Sequence, residues 1–223
     1  MRTAVVIPAY NEEQKIGEVV KNLADCEFFV IVVDDGSTDD TEIKAQSAGA
    51  LVLRHEVNLG QGAALRTGTQ FAFENGFELI AHFDADGQHN VADLQKLVGS
   101  FGDNEHEIAL GSRFLQTKNN IPRYKKIILY CAKIFSLFIL KLDFTDPQNG
   151  LRVFRKSSFE KIIWQHDDYL HCTEILCQTK KSNIAYLELP ITINYDEYST
   201  TKKIKPKISM GFKLFWEKFL NRL

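Results

Sequence analysis

The chain has 223 residues, of which 44% are hydrophobic and 25% are charged, and its formal net charge is -2 at pH 7. These values predict one globular domain with a substantial core, and they exclude a general electrostatic attraction to nucleic acid. The four cysteines are scattered without a Cys-x-x-Cys pair, so we expect reduced thiols rather than a zinc site or a disulfide framework. They are Cys26, Cys131, Cys172 and Cys177.

The beginning of the chain and its longest apolar region bear on its location. Residues 2–7 already form a strand pattern, and no leader resembling a signal peptide precedes it. Residues 127–142 are apolar but interrupted by Lys133, Ser136 and Lys141, and they fall short of the roughly 20 residues that span a bilayer. We therefore expect a cytoplasmic protein that is soluble or lies at the inner face of the cytoplasmic membrane.

Short β-branched runs alternate with segments of helical period along the first half of the chain. The runs predict strands at residues 4–8, 28–34, 50–54, 79–84 and 107–111, and a further strand at 191–195. Helical spacing follows the first strand, and a second helix is predicted over residues 63–75. Apolar strands separated by helices predict an α/β fold with a mostly parallel, Rossmann-like central sheet flanked by helices.

Polar clusters stand where four of the predicted strands end. They are residues 9–12, 34–37, 84–88 and 112–113. Because ligands of such sheets bind outside the carboxyl ends of the strands, we expect these clusters to form one site. The sequence lacks Gly-x-Gly-x-x-Gly after the first strand and lacks Gly-Lys-Ser/Thr, which argues against a dehydrogenase and a P-loop enzyme.

The cluster after the fourth predicted strand reads Asp84-Ala85-Asp86-Gly87-Gln88. Two carboxylates one residue apart, followed by an amide, offer the oxygen ligands that Mg²⁺ or Mn²⁺ prefers. The alternative is an Asp-Gly turn that closes the strand, with Asn90 or Asp93 capping the next helix. Composition and spacing leave both interpretations open.

Five segments in this order resemble successive motifs of the family 2 glycosyltransferases. They are VVIPAYNEE at 5–13, VVDDGSTD at 32–39, NLGQGAA at 58–64, DADGQH at 84–89 and DPQNGLR at 146–152. Within that family they most resemble the dolichyl-phosphate mannose synthase and polyprenyl-phosphate glycosyltransferase branch. The resemblance implies a GT-A fold, a nucleotide-diphosphate sugar donor such as a GDP- or UDP-sugar, and a divalent cation, Mg²⁺ or Mn²⁺.

The same resemblance implies roles for individual residues on the donor side. The donor site would be lined by Pro8, Ala9, Tyr10, Glu12, Val33 and Asp35. Asp84, Ala85 and Asp86 would meet the ribose-diphosphate end, and the cation would be held by Asp84, Asp86 and Gln88. Arg113 matches an arginine close to the donor phosphates and the sugar.

The resemblance divides the single domain into a nucleotide-sugar half (1–115), an acceptor-side half with helical segments (116–200) and a basic, amphipathic tail (201–223). Asp146 and Glu174 are the candidate catalytic carboxylates of the acceptor side, useful as a base if the acceptor is a hydroxyl. Glu174 is equally typical of a helix start. Lys202 is the candidate phosphate contact of the tail.

Residues 208–220 mix aromatic residues with lysines, which is typical of an amphipathic helix at a membrane surface and also of one that packs on the sheet or on a second subunit.

The leading hypothesis is a metal-dependent inverting glycosyltransferase with Asp86 and Arg113 at its catalytic centre and a polyprenyl-phosphate acceptor. Transfer to a growing surface glycan is the nearest alternative. A catalytically silent binding subunit is a third hypothesis, of a different class.

Overall fold

The structure is a computed structural model, and it describes residues 1–102, 105–116, 130, 133–134, 136–138 and 141–194. Three sequence-based expectations lie outside the described residues: the phosphate contact of Lys202, the amphipathic helix at 208–220 and the basic tail as a whole.

One mixed sheet of seven strands forms the centre of the described chain. The strands are β1 (Thr3–Ala9), β2 (Phe29–Asp34), β3 (Leu51–Arg54), β4 (Leu79–His82), β5 (Ile108–Ser112), β6 (Arg152–Arg155) and β7 (Tyr186–Pro190). Their order is β3-β2-β1-β4-β6-β5-β7. All pairings are parallel except those of β6, which runs antiparallel to both β4 and β5. The predicted mostly parallel sheet is confirmed, whereas β6 was not predicted.

Helices cover both faces of the sheet. They are α1 (Ile16–Ala24), α2 (Thr41–Ser47), α3 (Gln61–Glu74), α4 (Val91–Gly99), α5 (Lys156–Phe159) and α6 (Leu170–Lys181), and a 3₁₀ turn spans Arg113–Leu115. Successive side chains of a strand point to opposite faces, so Val6 packs in the hydrophobic cluster beneath α3 and α6. Val5 and Ile7 pack in the cluster beneath α1, α2 and α4. The consecutive apolar residues from Ala4 to Ile7 therefore serve two cores in alternation.

The predicted strands 4–8, 28–34, 50–54 and 107–111 agree with β1, β2, β3 and β5 to within one residue at each end, and two other predicted strands differ more. The predicted strand 79–84 ends at His82, so Asp84 stands in the loop. The predicted strand 191–195 is wrong over its described residues, 191–194, because β7 ends at Pro190. Proline is tolerated there because β7 is an edge strand of the described sheet. Beyond it, Ile193 forms an isolated bridge with His89. This segment instead braces the loop that carries the Asp84–Gln88 cluster.

The sequence offered Asn90 or Asp93 as the cap of the helix after that loop, and the structure shows Asn90 in this position. The side chain of Asn90 caps α4 by accepting a hydrogen bond from the backbone N–H of Ala92 at 2.9 Å. Asp93 accepts instead from the backbone N–H of Thr192 at 2.7 Å. Helix α3 begins at Gln61, two residues before its predicted start.

No helix within the described part of the chain is both long enough and apolar enough to cross a membrane.

Close packing of α3 on the sheet depends on Gly68. A Cβ at this position would lie 2.9 Å from Cγ2 of Val33 and closer still to Cγ1 of Val6. We expect Gly68→Ala to lower the free energy of unfolding by about 1–3 kcal/mol, because overpacking outweighs the better helix propensity of alanine. Urea denaturation would measure it.

Gly99, in the last turn of α4, is the matched control, because a Cβ there meets nothing within 4 Å. Gly99→Ala should be neutral or stabilising by up to about 1 kcal/mol. Equal urea midpoints for the two variants would contradict this account of the α3 packing.

Candidate active site

A cavity of about 600 Å³ lies at the carboxyl ends of β1, β2 and β4. Its described lining consists of Pro8, Ala9, Tyr10, Glu12, Asp35, Asn58, Gly60, Gln61, Asp84, Ala85, Asp86, Gln148, Gly150, Asp168, Tyr169 and Cys172. From β1 the chain proceeds outward to β2 and β3 on one side and returns to place β4 on the other. The cavity therefore opens where the strand order reverses, which is the usual ligand position in such sheets.

Asp84 and Asp86 follow β4 on the cavity wall. Asp84 Oδ2 lies 2.9 Å from His89 Nε2, and its Oδ1 accepts from Gln61 Nε2 at 3.2 Å. Asp86 Oδ1 accepts from the backbone N–H of Gln88 at 3.0 Å, and its Oδ2 accepts from the Gln88 side-chain amide. Gly87, with φ of 74°, provides the left-handed turn that brings these groups together.

The two carboxylates differ in their electrostatic environment. Burial and then the adjacent charge of Asp84 raise the pKa of Asp86 to about 6. Burial acts in the same direction on Asp84, but the hydrogen bond and charge of His89 outweigh it and leave the pKa of Asp84 below its ordinary value. Ionised Asp86 is thus incompletely compensated, and a bound cation would stabilise it.

The lining of the cavity as a whole is acidic. Its described residues include five carboxylates and no lysine or arginine: Glu12, Asp35, Asp84, Asp86 and Asp168. No group of three or more His, Cys, Asp or Glu side chains in the described chain is arranged to hold a metal ion. Mg²⁺ needs only one or two carboxylates when substrate phosphates and waters complete its coordination. The donor set therefore fits a cation that is shared with a phosphate ligand.

Asp35 organises the glycine-rich loop before α3. Its carboxylate accepts from the backbone N–H groups of Leu59 at 2.9 Å and Gly60 at 2.7 Å, and it lies 2.7 Å from His55 Nδ1. Asp35 thus shapes the cavity wall through the loop as well as through its own side chain. Val33, which the resemblance also assigned to the donor site, is completely buried in the core, so its side chain is absent from the described lining.

Arg113 and Asp146 are brought together from positions 33 residues apart. Asp146 Oδ2 accepts from Arg113 Nε at 2.6 Å and from its backbone N–H at 3.0 Å, while Oδ1 accepts from Nη2 at 2.7 Å. The Asp146 side chain is 1% exposed. Both of its oxygens are thus engaged in holding the guanidinium in one orientation, which favours a positioning role over that of a base.

Glu174 lies inside α6 rather than at its start. Its Oε2 accepts from the backbone N–H groups of Gln165 at 2.9 Å and His166 at 3.0 Å, which fixes the segment leading to Asp168 and Tyr169. Neither Glu174 nor Asp146 is among the described lining residues. Their catalytic roles stay predictions, as do the metal-ligand roles of Asp84, Asp86 and Gln88.

Sequence reasoning missed part of the lining. Gln61, Gln148 and Gly150 fall inside the motif segments, so their position could have been inferred from those segments. Asp168, Tyr169 and Cys172 carried no motif, and only the connection before α6 brings them to the cavity.

The comparisons with known proteins agree on the class of enzyme. Residues 4–163 match the sequence model of Glycosyl transferase family 2. The UDP-N-acetylglucosamine--dolichyl-phosphate N-acetylglucosaminyltransferase of Methanococcus voltae is 33% identical, over 95% of this chain and 92% of the relative. The polyprenol monophosphomannose synthase of Mycolicibacterium smegmatis is 28% identical, over 90% of this chain and 80% of the relative.

The fold also matches a solved structure. The crystal structure of glucosyl-3-phosphoglycerate synthase from Mycobacterium tuberculosis, in complex with Mn²⁺, uridine diphosphate and glucosyl-3-phosphoglycerate, superposes with a TM-score of 0.73. The match covers 99% of this chain and 79% of that chain at 18% identity. It confirms the GT-A-like arrangement of the sheet and helices.

Loss of the ion pair between Arg113 and Asp146 should destabilise the fold measurably. Asp146→Ala should lower the free energy of unfolding by about 3–5 kcal/mol, because it leaves the largely buried guanidinium without its charge partner. Asp167→Ala is the control, since the Asp167 carboxylate pairs with Arg66 at the surface and such pairs contribute about 0–1 kcal/mol. Urea denaturation would compare them, and similar losses in both variants would refute the structural importance of the Arg113 pair.

Proposed function

Because the chain belongs to glycosyl transferase family 2 and is a glycosyltransferase, we propose that it moves a sugar from a nucleoside-diphosphate sugar to a polyprenyl-phosphate acceptor with inversion at the transferred carbon. We further propose that the reaction requires Mg²⁺ or Mn²⁺. The observation that carries the proposal is the acidic cavity at the carboxyl ends of β1, β2 and β4.

A donor diphosphate carries negative charge into a cavity whose described lining is itself acidic. Without a cation the two would repel each other. Asp84, Asp86 and Gln88 are the residues that would hold the ion. When bound, a divalent cation would neutralise the charge that grows on the departing nucleoside diphosphate.

The cavity lining also offers groups that suit the nucleoside. Tyr10 is 46% exposed and presents an aromatic ring at the end of β1, and an aromatic face of this kind can stack on a base. Glu12 and Asp35 are on the same lining and offer oxygens to base or ribose N–H and O–H groups. A UDP- or GDP-sugar fits this arrangement.

Arg113 supplies a positive charge that does not depend on pH, because a guanidinium stays protonated in proteins. Its side chain is 12% exposed and is held by Asp146. We assign it the role of stabilising the leaving diphosphate, with Asp146 as its positioning residue. A preorganised charge costs no reorganisation when the reaction occurs.

The same geometry supports a lipid phosphate as the acceptor. Its oxygen is already ionised at neutral pH, so no base has to remove a proton. That oxygen attacks the anomeric carbon as the bond from this carbon to the diphosphate oxygen breaks, and a single displacement inverts the configuration. A glycan hydroxyl would need a base, and both candidates, Asp146 and Glu174, already accept several N–H groups.

An apolar helical face supports a reaction at a bilayer surface. Tyr130, Ile134, Leu137 and Phe138 are 57%, 40%, 43% and 73% exposed. Each of these four residues has helical backbone, and their sequence spacing is typical of residues that share one helical face. Lys133 in the same segment lies 5.5 Å from the centroid of the Phe114 ring, next to Arg113. We propose that this apolar face enters the membrane interface and brings the lipid acceptor to the arginine side of the site.

A thermal-shift screen with UDP, GDP and dTDP, each with and without Mn²⁺, tests the donor part of the proposal. The cognate nucleotide with metal should stabilise the fold by about 2.7 kcal/mol at one hundred times its Kd. Transfer from the corresponding sugar nucleotide to polyprenyl phosphate, with the anomeric configuration read by NMR, tests the remainder. Transfer only to a glycan hydroxyl would replace the proposed acceptor, and a retained configuration would refute single displacement.

We expect Asp86→Ala to lower the transfer rate by on the order of 10²- to 10³-fold, because a preorganised partner of the leaving group is lost. Radiolabelled sugar transfer at saturating Mn²⁺ would measure it. Asp25→Ala, at an exposed carboxylate just after α1, is the control and should retain the rate. Near-normal turnover of the Asp86 variant would refute the assignment.

Replacing Phe138 by Glu should weaken sedimentation with anionic vesicles severalfold, because a charge is placed in the apolar face that would enter the interface. Ile163→Glu is the control: Ile163 is also exposed, at 66%, but lies outside this face. Equal vesicle binding of the two variants would contradict the membrane contact.

A further inference from the structure

A second cluster of reactive side chains lies on the wall of the same cavity. Cys172, in the first turn of α6, is a free and partly exposed cysteine that lines the cavity. Its Sγ lies 3.1 Å from Nη2 of Arg152, which donates to it, and 3.4 Å from Nε2 of His171. His171 Nδ1 lies 2.7 Å from the backbone carbonyl oxygen of Asp168. Donation to that carbonyl leaves Nε2 directed at the sulfur.

Both partners of the thiol are buried cationic or protonatable groups: Arg152 is 2% exposed and His171 is completely buried. Burial alone would raise the pKa of Cys172, but the charges of His171 and Arg152 outweigh it and lower the pKa to about 6. Burial likewise opposes protonation of His171, yet the charge and hydrogen bond of Cys172 leave its pKa raised. Asp84, which also interacts with both cations, is the acidic group facing this cluster across Gly150.

Arg152 also has an unused donor. Its Nη2 donates to Cys172 and to the carbonyl oxygen of Asn149 at 3.0 Å, whereas its buried Nη1 has no hydrogen-bond partner among the described residues. A buried cationic N–H group without an acceptor is costly. An additional oxygen atom on the neighbouring sulfur would be an acceptor of the right charge.

Glycosyl transfer by the proposed route makes no use of a thiolate. We propose that Cys172 is a site of covalent modification by hydrogen peroxide and other soft electrophiles, and that its modification closes the donor cavity. The thiolate attacks one peroxide oxygen, a sulfur–oxygen bond forms and the oxygen–oxygen bond breaks. Sulfur loses two electrons to the peroxide, and the departing hydroxide takes up a proton to become water. The product is a sulfenic acid, whose anionic form can accept a hydrogen bond from Arg152.

Closure of the cavity rests on the proposed function, but the modification itself does not. Cys172 lies on the same lining as Asp84 and Gly150, so atoms added to its sulfur occupy space that the donor would need. A reagent that reaches the sulfur should therefore compete with a bound nucleotide. The two parts of the proposal can be separated by measuring modification and transfer independently.

Alkylation by iodoacetamide, followed by peptide mass spectrometry on the full chain, tests the first part. At pH 6.5 a thiol with a pKa near 6 reacts about fivefold faster than one of ordinary pKa, after allowance for its lower intrinsic nucleophilicity. Cys172 should therefore be labelled faster than the similarly exposed Cys26, and the pH profile of its labelling should have a midpoint near 6. Labelling of Cys172 no faster than Cys26 would overturn the proposal.

His171→Gln should move the labelling midpoint to higher pH, because the protonatable partner is lost. If that variant fails to fold, the pH profile of the parent chain still decides the question. UDP with Mn²⁺ should slow the labelling of Cys172 and leave Cys26 unaffected. Equal labelling with and without UDP and Mn²⁺, when a thermal shift shows that UDP is bound, would refute closure of the cavity.

Hydrogen peroxide tests the functional consequence through the ratio of transfer rates after and before treatment. That ratio should fall in the parent chain and in Cys26→Ser, and it should stay near one in Cys172→Ser. Equal inactivation of both serine variants would overturn the functional part. If no sugar transfer is found for the untreated chain, the proposed function fails while the mass-spectrometric result still decides the modification.

Discussion

Concentrated negative charge at the carboxyl ends of β1, β2 and β4 is the constraint on which the remaining structure depends. The carboxylates there are compensated to different extents. Asp35 accepts backbone N–H groups of the glycine-rich loop, and Asp84 is paired with His89. Asp146 lies outside the described lining and is matched to Arg113. Asp86 retains a raised pKa because its compensation is incomplete. The described residues around this site therefore neutralise its negative charge only in part.

The cationic and protonatable groups near the cavity lie outside its described lining. Arg152 and His171 are buried, and their charges act to lower the pKa of Cys172 and that of Asp84. Arg113 is held at the end of β5 by its bidentate partner. This separation explains how a cavity with an acidic lining can also hold a thiol with a lowered pKa. Electrostatic effects are strong at both places because burial limits screening by solvent.

The antiparallel strand β6 connects the two halves of the site. It lies between β4 and β5, so the loop before it delivers Gln148 and Gly150 to the cavity next to Asp84. Helix α6 then packs over the core formed with α3 and presents Cys172 from the other side. The similarity to a dolichyl-phosphate N-acetylglucosaminyltransferase covers nearly the whole chain, including this half. The exposed apolar side chains near Phe138 belong to the same half.

The sequence alone determined the parallel sheet, the polar clusters at its strand ends and the family, because apolar periodicity and short motifs are local properties. Only the tertiary structure decided that Arg113 pairs with Asp146, that Val33 is core and that Cys172 lines the cavity. It also placed β6 antiparallel and ended β7 at Pro190. These features depend on contacts between residues tens of positions apart. Local propensity does not encode such contacts, since they arise only when the burial of many side chains outweighs the entropy of closing the intervening loops.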